Sequence, residues 1–139
     1  MKYNLILRVV SKVLIPLIII FALYVQFHGD YGPGGGFQAG VILSSAIILY
    51  SLIFGLTAAE QIIPPTLLRI FASMGVLIYA GVGFASLISG GRYLDYSVLA
   101  STPVAGQHLG ILLIEFGVGM TVFSVMLIIF FAFAGRARP

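Results

Sequence analysis

Residues 109–134 read LGILLIEFGVGMTVFSVMLIIFFAFA, and Glu115 is the single charged residue among them. A helix needs ~20 apolar residues to cross a bilayer, and this stretch exceeds that length. Its apolar residues do not alternate with polar ones and run too long for a barrel strand, so it reads as a transmembrane helix. Three further apolar segments stand upstream, at residues 13–27, 37–56 and 67–89. The first is short and borrows from residues 4–12. There Leu5, Ile6, Val9, Val10 and Val13 share one helical face, while Arg8 and Lys12 are placed to snorkel towards headgroups. Pro16 falls inside this helix and is predicted to kink it. The predicted fold is all-α: one integral membrane domain over residues 1–139, a bundle of four transmembrane helices at about 4–27, 37–56, 67–89 and 109–134. A glycine-rich loop joins the first two helices.

Composition agrees. Hydrophobic residues make up 60% of the chain and charged residues 8%, with a mean hydropathy of +1.16. A soluble domain of this size needs far more charge on its surface. The chain has no cysteine, which excludes disulfides and thiolate metal sites. No secretory signal is expected, because FALYVQF at residues 21–27 is bulky where a peptidase needs small residues. The net charge of +3 is read as a topology signal, not a nucleic-acid patch. With four helices, Lys2, Arg8, Lys12, Arg69, Arg136 and Arg138 fall on one side and Arg92 on the other. That bias predicts both termini in the cytoplasm. Pro64-Pro65 should end the second helical region, with Thr66 capping the third helix. Gly90-Gly91 should end the third, and Thr102-Pro103 with Gly106 should break the chain before the fourth. Tyr93 and Tyr96 suit the outer interface.

FHGDYGPGGGFQAGV, residues 27–41, is the most polar and flexible segment between apolar helices. GGGFQA fits G-x-G-x-x-A, with Glu60 downstream, but a dinucleotide site needs a preceding strand and a helix outside the membrane. Three readings stand. The loop is a tight turn, stiffened by Pro33. It is a packing site, where Gly36, Gly40 and Ser44 give a small-residue stripe for a neighbouring helix. Or it is functional, an unwound segment whose backbone and helix N-terminus suit ions. Four-residue spacing recurs at Gly106 and Gly110, Gly117 and Thr121, Ser51 and Gly55, and Gly81 and Ala85, a density that predicts several neighbours.

Glu115 is the sharpest single signal. It lies seven residues past His108, roughly 10 Å along the helix axis. An ionised acid in hydrocarbon costs several kcal/mol, so it should face protein interior or water. It reads either as a proton carrier or cation ligand, or as a structural acid bonded to the glycine loop or to another subunit. His28, Asp30, Asp95 and His108 fall in the same half of the bilayer, as ion-path candidates or as solvated and capping residues. Their spacing matches no metal site, and no nucleophile–base pair stands out, so neither a cofactor nor an enzyme is expected. Four helices with one membrane acid hardly enclose a transport path alone, which points to a subunit of a larger assembly.

HGDYGPGGGFQAGVI (residues 28–42) resembles the glycine-rich signature of the B subunit of Mrp-type sodium/proton antiporters, the MnhB family. GQHLGILLIEFGVGMTV (residues 106–122) resembles that family's last-helix motif, and GGRYLDY (residues 90–96) the loop before it. The resemblance covers nearly the whole chain. It implies a small subunit without prosthetic group in a hetero-oligomer of membrane proteins, whose large subunits resemble the proton-pumping subunits of respiratory complex I. Such a complex exchanges Na+ for H+, driven by the proton gradient across the cell membrane. The same module occurs in membrane-bound hydrogenase-like redox complexes, which gives an alternative parent, and a purely structural subunit is a third reading. The matched positions are His28, Pro33, Gly34, Gly35, Gly36 and Phe37 in the loop, and Glu115 and His108 in the last helix. Gly40, Ser44, Gly110 and Gly117 are the expected helix-packing positions.

Overall fold

A computed structural model describes residues 5–29 and 34–136. Asp30 and Pro33 lie outside the described residues. The elements are α1 (Leu5–Phe27), α2 (Gly36–Phe54), α3 (Leu56–Ile62), α4 (Pro65–Ile88), a short 3-10 helix (Tyr96–Val98) and α5 (Pro103–Arg136). Four of them, α1, α2, α4 and α5, are long and apolar enough to cross a membrane. The protein is therefore an all-helical, multi-pass membrane protein.

The long helices lie in the spatial order α1, α2, α5, α4. α5 packs extensively on both α2 and α4, while α1 rests on α2 and touches α5 only marginally. Glycines set these contacts. A Cβ on Gly40 of α2 would run into the Gly119 carbonyl of α5, and one on Gly75 of α4 would run into the Gly117 carbonyl and the Thr121 hydroxyl. Gly117 and Gly119 are two residues apart, so they present nearly opposite faces of α5, one to α4 and one to α2. Thr121 also donates a hydrogen bond across to the Ala72 carbonyl of α4 at 3.3 Å. On α1 the residues buried against the fold are the small Ser11 and Ala22, whereas Leu5, Ile6, Val9, Val10 and Val13 point away from it. α1 remains helical through Pro16.

The element boundaries depart from the sequence expectations at three places. The second helical region is not continuous: Gly55 takes φ 105, which only glycine adopts without cost, and splits it into α2 and α3. α3 then turns Ala59 into a core of Leu68, Phe123, Leu127 and Phe131. Thr66 does not cap α4. Pro64 is the cap and Pro65 the first helical residue, where a missing N–H costs nothing. Thr102-Pro103 and Gly106 do not break the chain but start α5. The Thr102 hydroxyl accepts from Ala105 N at 3.3 Å, Pro103 occupies the first position, and Gly106 is already helical. Gly90-Gly91 does end α4, as a Schellman motif. Gly90 (φ 85) bonds to Leu87 O and Gly91 to Ser86 O, both at 3.1 Å.

The early start of α5 supports the connection from α4. Tyr96 lays its ring on Gly110 and its backbone on Gly106, and Tyr93 fills the space over Gly83. Asp95 caps the 3-10 helix by accepting from Ser97 N at 3.2 Å and from the Ser97 hydroxyl. These bonds hold its carboxyl below the ordinary carboxylate value, while burial pushes the Tyr96 phenol up.

Gly75→Ala should destabilise the detergent-purified protein by roughly 1–3 kcal/mol, because the new methyl meets backbone. Gly81→Ala, which meets nothing within 4 Å, should be neutral or gain up to ~1 kcal/mol. Thermal unfolding of both variants checks the contrast. The Asp95 cap has a depressed pKa, so its contribution is complete above the ordinary carboxylate value and is lost as pH falls through the lower folded value. Asp95→Asn should remove that acid sensitivity from proteolysis of the 89–102 loop.

Candidate functional site

Glu115 lies on the face of α5 that also carries Gly119, since four residues make about one turn. That face meets the end of α1 and the start of α2. A Cβ on Gly29 would collide with the Glu115 carboxylate, and one on Gly35 would lie 2.8 Å from its Oε1. A Cβ on Gly36 would overlap the Glu115 main-chain carbonyl. The two sides of the glycine loop therefore close on one acidic residue, and the backbones of α2 and α5 touch where it projects. α2 begins at Gly36, so the positive end of its dipole lies beside an acid, a stabilising arrangement. Glu115 is half-buried.

The other expected site residues are distributed differently. His28 is exposed and stacks on Tyr24, with ring centroids 4.9 Å apart. His108 is exposed on the second turn of α5, not at its start. Asp95 serves the loop cap described above. Phe37 is exposed and borders a surface cleft with Phe21 and Val25. Gly34 takes φ 147 and abuts Val25 and Gln38. Among the packing positions, Gly40 meets α5 and Gly117 meets α4, whereas Gly110 meets the Tyr96 ring of the loop instead of a long helix. Ser44 is buried and returns its hydroxyl to Val41 O at 2.7 Å. Among the described residues, no group of three or more His, Asp or Glu side chains could hold a metal ion.

One residue escaped the sequence reading. Gln26, in the last turn of α1, places its Oε1 against Gly119, one turn along α5 from Glu115. The Gly36 carbonyl approaches the same point, 3.1 Å from where a Gly119 Cβ would stand. Gln26 also lines an open cavity of about 200 Å³ between α1, α2 and α5. The signal in the sequence was an amide in an otherwise apolar run, visible but masked by its nearness to the helix end.

These features define a multi-pass helical protein that holds an acid against a glycine turn within packed helices. The chain belongs to the family described as the domain related to the MnhB subunit of Na+/H+ antiporter, whose model matches residues 6–128. It is 29% identical over 133 residues to the B subunit of the Na(+)/H(+) antiporter of Bacillus subtilis (strain 168), covering 88% of this chain and 92% of that one. It is 30% identical over 129 residues to the corresponding Na(+)/H(+) antiporter B subunit of Alkalihalophilus pseudofirmus, covering 86% of this chain and 89% of the relative. An mnhB2 chain of Staphylococcus aureus (strain Newman), a putative antiporter component by its name, is 32% identical over 139 residues, 97% of this chain and 98% of its own length.

Gly36→Ala should separate α2 from α5, because its methyl meets the Glu115 backbone, which cannot swing aside. Gly35→Ala meets only the carboxylate end of a flexible side chain. The first should lower recovery of folded protein severalfold more than the second, by ~1 kcal/mol or more of added destabilisation. Size-exclusion yield in mild detergent checks this.

Proposed function

We propose that this chain is a small membrane subunit of a multi-subunit cation/proton antiporter that exchanges Na+ for H+ at the expense of the proton gradient. Its family and its length-spanning similarity to antiporter B subunits support the reading. It acts as a transporter subunit, not an enzyme, in the cell membrane, with both termini in the cytoplasm. The charge bias supports that orientation: Arg8, Lys12, Arg69 and Arg136 fall at the end of the fold opposite Arg92. Its partners are the other subunits of the assembly, including large subunits like the proton-pumping ones of complex I.

Within that assembly Glu115 faces the ion path, and the glycine loop braces it. The observation that carries this is the closure of Gly29 and Gly35 on the Glu115 carboxylate. An acid at membrane depth is costly, and here its carboxylate lies where a Cβ on Gly29 or Gly35 would strike it. Glycine backbone offers polar groups to an ion or a water where lipid offers none. His28 and His108 belong to the approach from the outer face.

Glu115→Gln keeps the size of the side chain and removes its charge. In the intact complex, assayed in everted membrane vesicles, it should lower Na+/H+ exchange about tenfold or more, equivalent to ~1.4 kcal/mol of barrier. Copurification of the other subunits should be unchanged. Wild-type exchange by an assembled Glu115→Gln complex would show that Glu115 serves structure alone.

A further inference from the structure

The cavity of about 200 Å³ between α1, α2 and α5 exists because α1 rests on α2 and touches α5 only marginally. Small residues such as Ala22, Ala39 and Gly40 leave the room, and Phe71, Phe116 and Phe123 line it. Leu23 and Phe27 also line it and, like Phe116, are exposed, so the cavity opens on the perimeter of the bundle. Every helix around it is long and apolar enough to span a membrane. Its lining follows α5 from Phe116 to Phe123, roughly 10 Å of helix axis. Among the described residues Gln26 is its single polar side chain, and the Gln26 Oε1 lies against Gly119.

Such walls select the occupant. A held water needs two to four polar partners, and one amide does not supply them. A helix, ~10 Å across with its side chains, is too wide for the space. One apolar side chain from a neighbour would fill only part of its length. A linear hydrocarbon chain is narrow and flexible, and it is the solvent around these helices. The bilayer gives no hydrophobic drive for filling the cavity. An empty recess nevertheless forfeits dispersion contacts along its lining, and a hydrocarbon chain restores them.

We propose that this cavity is a binding site for one acyl chain of a membrane lipid, which enters past Leu23 and Phe116 and lies along α5 as far as Phe123. The bound tail fills the gap that α1 leaves beside α5. It also excludes water from this flank of α5, one turn along from Glu115. Tail binding does not depend on the role of Glu115.

The test uses the complete antiporter complex in phospholipid vesicles. The probe is a trace of phosphatidylcholine with a photoreactive diazirine midway along one acyl chain. After illumination, peptide mass spectrometry should find adducts on the lining residues Ala39, Leu43 and Met120. The same lipid with its diazirine on the headgroup should give none there. Met120→Trp fills the cavity and should lower the tail adducts at Ala39 and Leu43 about fivefold, as when bulk is forced into occupied space. Leu23→Trp narrows the mouth from an exposed position and should act in the same direction, so it serves if Met120→Trp fails to assemble. Unlabelled lining residues in a complex that takes up label elsewhere would overturn the inference, leaving the cavity empty or filled by another subunit. So would adducts at Ala39 and Leu43 that neither variant reduces, because they would come from the general lipid-facing surface.

Discussion

The contact between the Gly36 backbone and the Glu115 carbonyl is the constraint on which the rest of the site depends. Two helices approach this closely only where neither presents a side chain, because a Cβ at Gly36 would occupy the carbonyl's space. The same rule places Gly40 against Gly119 and Gly75 against Gly117. α5 is thereby gripped on both sides, and its orientation about its own axis is fixed. Lipid tails provide no hydrophobic drive for helix association, so close packing and the Thr121 bond to Ala72 carry the cohesion. With α5 held in this way, Glu115 projects under the glycine loop and Gln26 faces the turn beyond it.

The arrangement is open. The order α1, α2, α5, α4 leaves large apolar side chains such as Leu77, Ile88 and Phe133 facing outward, as a lipid- or protein-facing surface requires. The opposite ends of the fold do different work. At one end Ala59, Leu68, Leu127 and Phe131 form an apolar core, and Arg8 lies over the Phe54 ring at 5.8 Å. At the other end the glycine loop and the 89–102 connection build polar or aromatic seats on glycine surfaces.

Much of this was legible in the residues. Apolar length located the four spanning helices, and Gly90-Gly91 announced its own cap. Glu115 was conspicuous because charge is expensive in hydrocarbon. The boundaries were harder, because Pro and Gly are ambiguous in one dimension. Thr102-Pro103 starts a helix as readily as it stops one, and the choice falls to Thr102, whose hydroxyl bonds to the first turn. Gly55 looked like one more small packing residue, yet it meets nothing and serves for its backbone angle. Gly110 looked like a helix contact and proved to be the seat of Tyr96.

The sequence by itself determined that the chain is a four-span membrane protein with one acid in its last span and a glycine-rich turn between its first two, because hydropathy and charge act through composition along the chain. Its motifs also determined the family. Only the tertiary structure decided which faces meet. Spacing by four says that two glycines share a face, but not whether a helix, a loop or open space lies opposite. That outcome depends on contacts between residues far apart in sequence. It is why Gln26, an ordinary polar residue near a helix end, comes to lie against Gly119, one turn along α5 from Glu115, only when α1 and α5 are brought together by α2.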